Sequence, residues 1–101
     1  MFKIMEAPDI AQVTVDDTDP TLIATIPEGK TRMIQIMNND GTNFIVWSGS
    51  VAVSLTTGKK LWAKTETDML PISAPNGGGD VSIYGLADTA DVVVSVMTAS
   101  I

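Results

Sequence analysis

The sequence predicts an all-β protein: a single β-sandwich of about eight short antiparallel strands. Three observations lead there. Val, Ile and Thr fill short runs that Gly, Pro, Asn, Asp and Ser break at sandwich-like spacing. Where apolar residues repeat, they do so with period two, and helical periodicity is hard to find. The chain has 101 residues, enough for one core with about two-thirds of its surface buried.

The elements follow in order. Residues 1–9 mix apolar side chains with Pro8 and have no evident partner strand. They are expected to form an N-terminal arm ahead of a sandwich domain spanning 10–101. Ile10 to Val15 is the first expected strand, ended by Asp16-Asp17-Thr18-Asp19-Pro20. Thr21 to Ile26 is the second, stopped by Pro27-Glu28-Gly29-Lys30, which is tight-turn chemistry. Thr31 to Asn38 alternates, with Met33, Gln35 and Met37 on one face and Arg32, Ile34 and Ile36 on the other. Asn43 to Ser48 is expected to pair back on it across an Asn/Asp/Gly turn. Ser50 to Leu55 is read as a further strand, closed by Thr56-Thr57-Gly58.

Leu61 to Thr67 is the least regular stretch. Trp62 lies among Lys59, Lys60 and Lys64, so one face is wet. Met69 to Ile72 contains Pro71, which marks an edge strand. Ala74 to Asp80 is a glycine-rich loop, expected to be a flexible connection. Val81 to Leu86 and Asp91 to Met97 are expected to form a closing pair.

Composition narrows the chemistry. There is no histidine, no cysteine and a single arginine. A Ser-His-Asp relay, a His-rich metal site, thiolate chemistry and disulfides are therefore excluded. Ser48-Gly49-Ser50 lacks the strand-to-helix elbow of a nucleophilic serine. Asp17, Asp19 and Glu28 fall at EF-hand positions one, three and twelve, but position six is Leu22 where the loop requires Gly. Asn76 to Asp80 has no following Lys-Ser/Thr and no helix, so it is no phosphate cradle. The expectation is a non-enzyme without cofactor or metal. Net charge is −6 without a Lys/Arg stripe, which argues against a nucleic-acid partner. No apolar run reaches the roughly 18 residues of a membrane helix, and no signal-peptide core is evident.

Hydrophobic content of 45% and mean hydropathy of +0.24 are high for so small a domain. They suggest apolar surface hidden against another chain. Phe44-Ile45-Val46-Trp47 and Val92 to Met97 are apolar on both alternate faces. One face would fill the core and the other would meet a sister subunit. Cover by the Leu61–Thr67 loop is the competing expectation. The expected oligomer or capsid contacts are Phe44, Val46, Trp47, Trp62, Val92, Val94 and Met97.

Ile34-Gln35 with Asn38, Gly41-Thr42-Asn43 before Phe44-Ile45-Val46-Trp47, and Gly49 form one set of signals. Ile83-Tyr84-Gly85-Leu86-Ala87 followed by Thr89-Ala90-Asp91-Val92 forms another. Together they resemble a diffuse group of small structural proteins of tailed bacteriophages, over about four-fifths of the chain. The Lys59–Thr67 region is longer and more charged than that pattern. The resemblance implies that the sandwich is jelly-roll-like, and that the protein is a capsid decoration (cement) protein on the outer surface of the virion, made in the host cytoplasm. It would bind the major capsid protein as a homo-oligomer, a trimer. A tail- or fibre-associated adhesion module, with Trp62 on host glycan, and a head–tail joining protein are the alternatives.

Overall fold

Period-two alternation and the turn residues between runs set the strands of the computed structural model, which describes residues 9–100. The strands are β1 (Asp9–Val15), β2 (Thr21–Ile26), β3 (Thr31–Asn38) and β4 (Ile45–Ser48), followed by β5 (Lys59–Leu61), β6 (Leu70–Ser73), β7 (Val81–Ala87) and β8 (Val92–Ser100). The arm expected over residues 1–9 lies outside the described residues except for Asp9, which opens β1.

The strands form two four-stranded antiparallel sheets, ordered β1-β8-β3-β6 and β2-β7-β4-β5. First pairs with last, second with seventh, third with sixth and fourth with fifth. That nesting is a long hairpin rolled up on itself, the jelly-roll wiring. The β-sandwich expected from sequence is thus present. Two expected pairings are corrected. Asn43 to Ser48 does not pair back on β3, and the last two strands do not pair with each other. β3 lies between β8 and β6, whereas β4 and β7 lie side by side in the opposite sheet. In this wiring consecutive strands cross between sheets, and β4–β5 is the only consecutive pair that is hydrogen-bonded.

The inner faces meet in one core. Val15, Ile26, Ile34, Ile36, Ile45, Ile83, Val92, Val94 and Val96 interdigitate there. Core-facing and outward residues alternate along β3 and β8, as a half-buried strand requires.

Loops at one end carry the chain across. Asn38, the one buried polar residue among those described, organises this end. Its Nδ2 donates to the carbonyls of Asn43 (3.0 Å) and Leu61 (3.2 Å), and its Oδ1 accepts from Asp40 N (2.9 Å). Asp40 Oδ2 in turn accepts from the amides of Thr42 and Asn43. These bonds fix the arch that lifts the chain from β3 into the other sheet. At the opposite end the Pro27–Lys30 turn closes with Lys30 N donating to Pro27 O, and Gly29 takes φ +76°. The glycine-rich loop expected to be flexible is pinned against this turn. Gly79 N donates to the Glu28 carboxylate, and Glu28 N donates to Asp80.

Ser50 to Leu55 is not a strand. Its hydroxyls take the backbone bonds that a ladder would need: Ser50 Oγ accepts from Ala52 N, and Thr57 Oγ1 accepts from Ser54 N. The strand at this edge is the three-residue β5.

Candidate interaction surfaces

The outward residues divide into two surfaces. On the β2-β7-β4-β5 sheet, Val46 and Leu86 point outward and are covered by Val53, with Phe44 and Tyr84 packed around them. Gly58 lets this cover close down. A Cβ there would sit 2.7 Å from Val53 Cγ2 and 3.0 Å from both Trp47 O and Val46 Cβ. The second face of the Phe44–Trp47 run is therefore covered within the chain: Val53 of the Gly49–Gly58 segment lies over Val46, and Trp62 of the Leu61–Thr67 loop packs on Phe44. The remainder of that loop runs to the other sheet, where Asn38 N donates to Thr65 O and Thr67 N to Ile36 O.

The expected contact residues separate accordingly. Val46, Val92 and Val94 are at most 1% exposed, Val92 and Val94 in the main core and Val46 beneath Val53. The expectation that they line an interface is corrected, because they have no surface left to offer. In β8 the outward apolar positions are Val93 and Met97. Trp47 is half-buried against the main core. Phe44 and Trp62 come together with their ring centroids 5.6 Å apart at 61°, an edge-on pair. Lys60 Nζ lies over both rings, 4.3 Å from Phe44 and 4.6 Å from Trp62. Lys59 lies 5.6 Å from the Trp47 ring. Trp62 stays 60% exposed. The result is a small aromatic step with a cation held on it.

Met97 belongs to the second and larger surface, the outer face of the β1-β8-β3-β6 sheet. Registration places Ile10, Gln12 and Thr14 of β1 beside Met97, Ser95 and Val93 of β8. Met37, Gln35 and Met33 of β3 continue the face on the other side of β8, with Pro71 of β6 beyond Met33. None of these side chains is charged, in a chain of net charge −6; a carboxylate adjoins the face only at its rim, where Glu66 is bridged to Met37. Ile10 is 66% exposed and Val93 42%. Sequence reasoning found Met97 here and missed Ile10, Val93, Met33 and Met37. The Met33-Gln35-Met37 alternation was visible, but which sheet neighbours would continue it was not.

The acids gather elsewhere. The carboxylates of Asp16, Asp17 and Asp91 lie within 4.8 Å of one another at the β1–β2 and β7–β8 loops. Asp16 Oδ1 accepts from Thr18 N and Thr18 Oγ1, and Asp91 Oδ1 accepts from Asp17 N. The Thr18 hydroxyl bond, followed by the Thr18 amide, holds the Asp16 carboxyl below its ordinary value. Donation from the Asn43 and Thr42 amides does the same for Asp40. These bonds account for the acids as turn-forming groups. A groove of about 720 Å³ between the end of β3 and Lys64-Thr65-Glu66 holds one carboxylate and one lysine. Paired carboxylates for acid–base work are not brought together in it.

No protein-family model matches the chain, and no curated protein matches it in sequence. One solved structure, from work on Bacillus endospore appendages described as a novel family of disulfide-linked pili, is similar in fold. Its TM-score is 0.55 at 13% identity, covering 94% of this chain and 86% of that one. The likeness extends the sandwich architecture over nearly the whole chain. Disulfide linkage cannot accompany it, because this chain has no cysteine.

Proposed function

We propose that this protein is a virion structural protein that decorates the outer surface of a phage capsid, adhering to the major capsid protein and stabilising the head. The observation that carries the reading is the uncharged, methionine-bearing outer face of the β1-β8-β3-β6 sheet. A clamp works by burying area across several contacts, and a face whose strand residues carry no charge loses less on desolvation than a charged one. Methionines adapt such a face to a partner of irregular shape. Acidic loops at the end of the sandwich keep free copies soluble. The resemblance of the Ile34–Gly49 and Ile83–Val92 segments to phage structural proteins supports the same role and implies a homotrimer. The test is the composition of purified particles. Decoration requires a copy number near that of the major capsid protein; a handful of copies per particle would overturn the reading.

A second reading is a subunit of a tail fibre or other extracellular appendage. Two observations favour it: the pilus structure of similar fold, and the exposed Trp62 step with Phe44 and Lys60. Aromatic faces with an adjacent cation suit sugar rings carrying acidic groups. Electron microscopy with a labelled antibody separates the two, since label spread over heads supports decoration and label confined to fibres supports the appendage.

A further inference from the structure

A sandwich of two open sheets has four edges, and three of them are blunted here. β2 carries a bulge between Leu22 and Ala24 and is bracketed by Pro20 and Pro27. β5 has three residues, two of them lysines. β6 has four, with Pro71 among them. Each device hinders the addition of another strand. β1 has none of them. It runs for seven residues, pairs on one side with β8 in unbroken register, and carries no proline or bulge. Between Ile10 and Val15 it has no charge. Ile10, Ala11, Gln12 and Thr14 are all exposed.

We propose that the edge of β1 that has no strand partner among the described residues docks a second copy of this chain, which adds its own β1 antiparallel across a twofold axis at Gln12. Four arguments select a second copy. No other edge of the described fold is open, so a strand of the same protein can offer only β1. The segment is self-complementary in that register. Ile10 faces the partner's Thr14, Ala11 faces Val13, and Gln12 faces Gln12, with all of them uncharged. The two Asp9 carboxylates then lie at opposite ends of the ladder, about 20 Å apart. The charge-free outer face also continues across the junction through Ile10 and Met97, giving one eight-stranded sheet. The contact is isologous and closes on itself.

Edge pairing alone buries less than the ~800 Å² per partner of a standard interface, so the dimer is weak and concentration-dependent. The inference goes beyond the capsid reading and departs from the trimer that the phage resemblance implies. It stands or falls in free solution, without any capsid.

The test is light scattering from low to high micromolar concentration on the wild type, Gln12→Lys and Gln12→Glu. The wild type is expected to pass from 10.7 kDa to twice that mass. Each variant alone places like charges directly opposite and weakens association about fivefold or more at low salt. Mixing the two variants restores it. Gln12 is exposed, so both variants keep the wild-type circular dichroism. Amide exchange on the wild type should show concentration-dependent protection confined to β1. Four results would each overturn the proposal: a wild type monomeric throughout, an oligomer insensitive to both variants, a mixture that fails to pair, or protection elsewhere.

Discussion

At the scale of single residues, the most consequential side chain is Asn38. It is 2% exposed and satisfies three backbone groups of the arch between the sheets. Asn38→Leu keeps the volume and orphans those groups, which should cost about 3 kcal/mol. Urea unfolding would show this as a lowered midpoint with an unchanged slope. A loss below about 0.5 kcal/mol would mean that water serves those groups equally well. Asp16 and Asp40 make a pH-dependent contribution. Both carboxyls are held below their ordinary value of 3.8 by hydrogen bonds in the folded state. A group depressed on folding stabilises fully above its unfolded value and loses that contribution as pH falls through the folded one. Stability should therefore be flat from neutral pH down to about 4 and decline below it. Urea midpoints across that range check it, and Asp40→Ala should flatten part of the decline.

At the scale of elements, Gly58 tests how the Gly49–Gly58 segment seals β4. Gly58→Ala forces a Cβ against Val53, the Trp47 carbonyl and Val46. The cost should be about 1–3 kcal/mol, with increased solvent exposure of Trp47 in its fluorescence. An unchanged spectrum and midpoint would show that the cover adjusts freely. The same segment marks what was legible from sequence. Strand bounds at β1, β2, β3 and β7 were readable to within a residue, because alternation and turn chemistry are local signals. Ser50 to Leu55 alternates as a strand does, with Val51, Val53 and Leu55 apolar. Its Ser and Thr hydroxyls instead capture the backbone, a competition that composition does not reveal. Pairing was not legible either. The Asn38–Asn43 turn looks like a hairpin loop, and only the Asn38 bonds across to Leu61 show it to be an arch between sheets.

At the scale of the whole molecule, the excess of apolar residues was legible, and its location was not. Val46, Val92 and Val94 spend their apolar surface inside the chain. Part of the surface left over lines one sheet because β1, β8 and β3 keep a common register over several residue pairs, so Ile10, Met97, Gln35 and their neighbours align, while Leu22, Val51, Leu55 and Trp62 are exposed elsewhere. Phase along a single strand cannot give that alignment. It emerges when strands far apart in sequence become neighbours. Most charges lie in the loops, which leaves the outer face of the β1-β8-β3-β6 sheet with uncharged strand residues.

Under the proposed capsid role, co-sedimentation with undecorated phage heads, for the wild type, Met97→Lys and Leu22→Lys, examines that division of surfaces. Met97 lies on the outer face of the β1-β8-β3-β6 sheet, between Ile10 and Gln35, and Leu22 is 49% exposed on the opposite sheet. Saturable binding by the wild type and Leu22→Lys, with at least a tenfold loss for Met97→Lys, is the expected result. Absence of binding by the wild type, or equal binding by both variants, would show that the uncharged face does not hold this protein to a capsid.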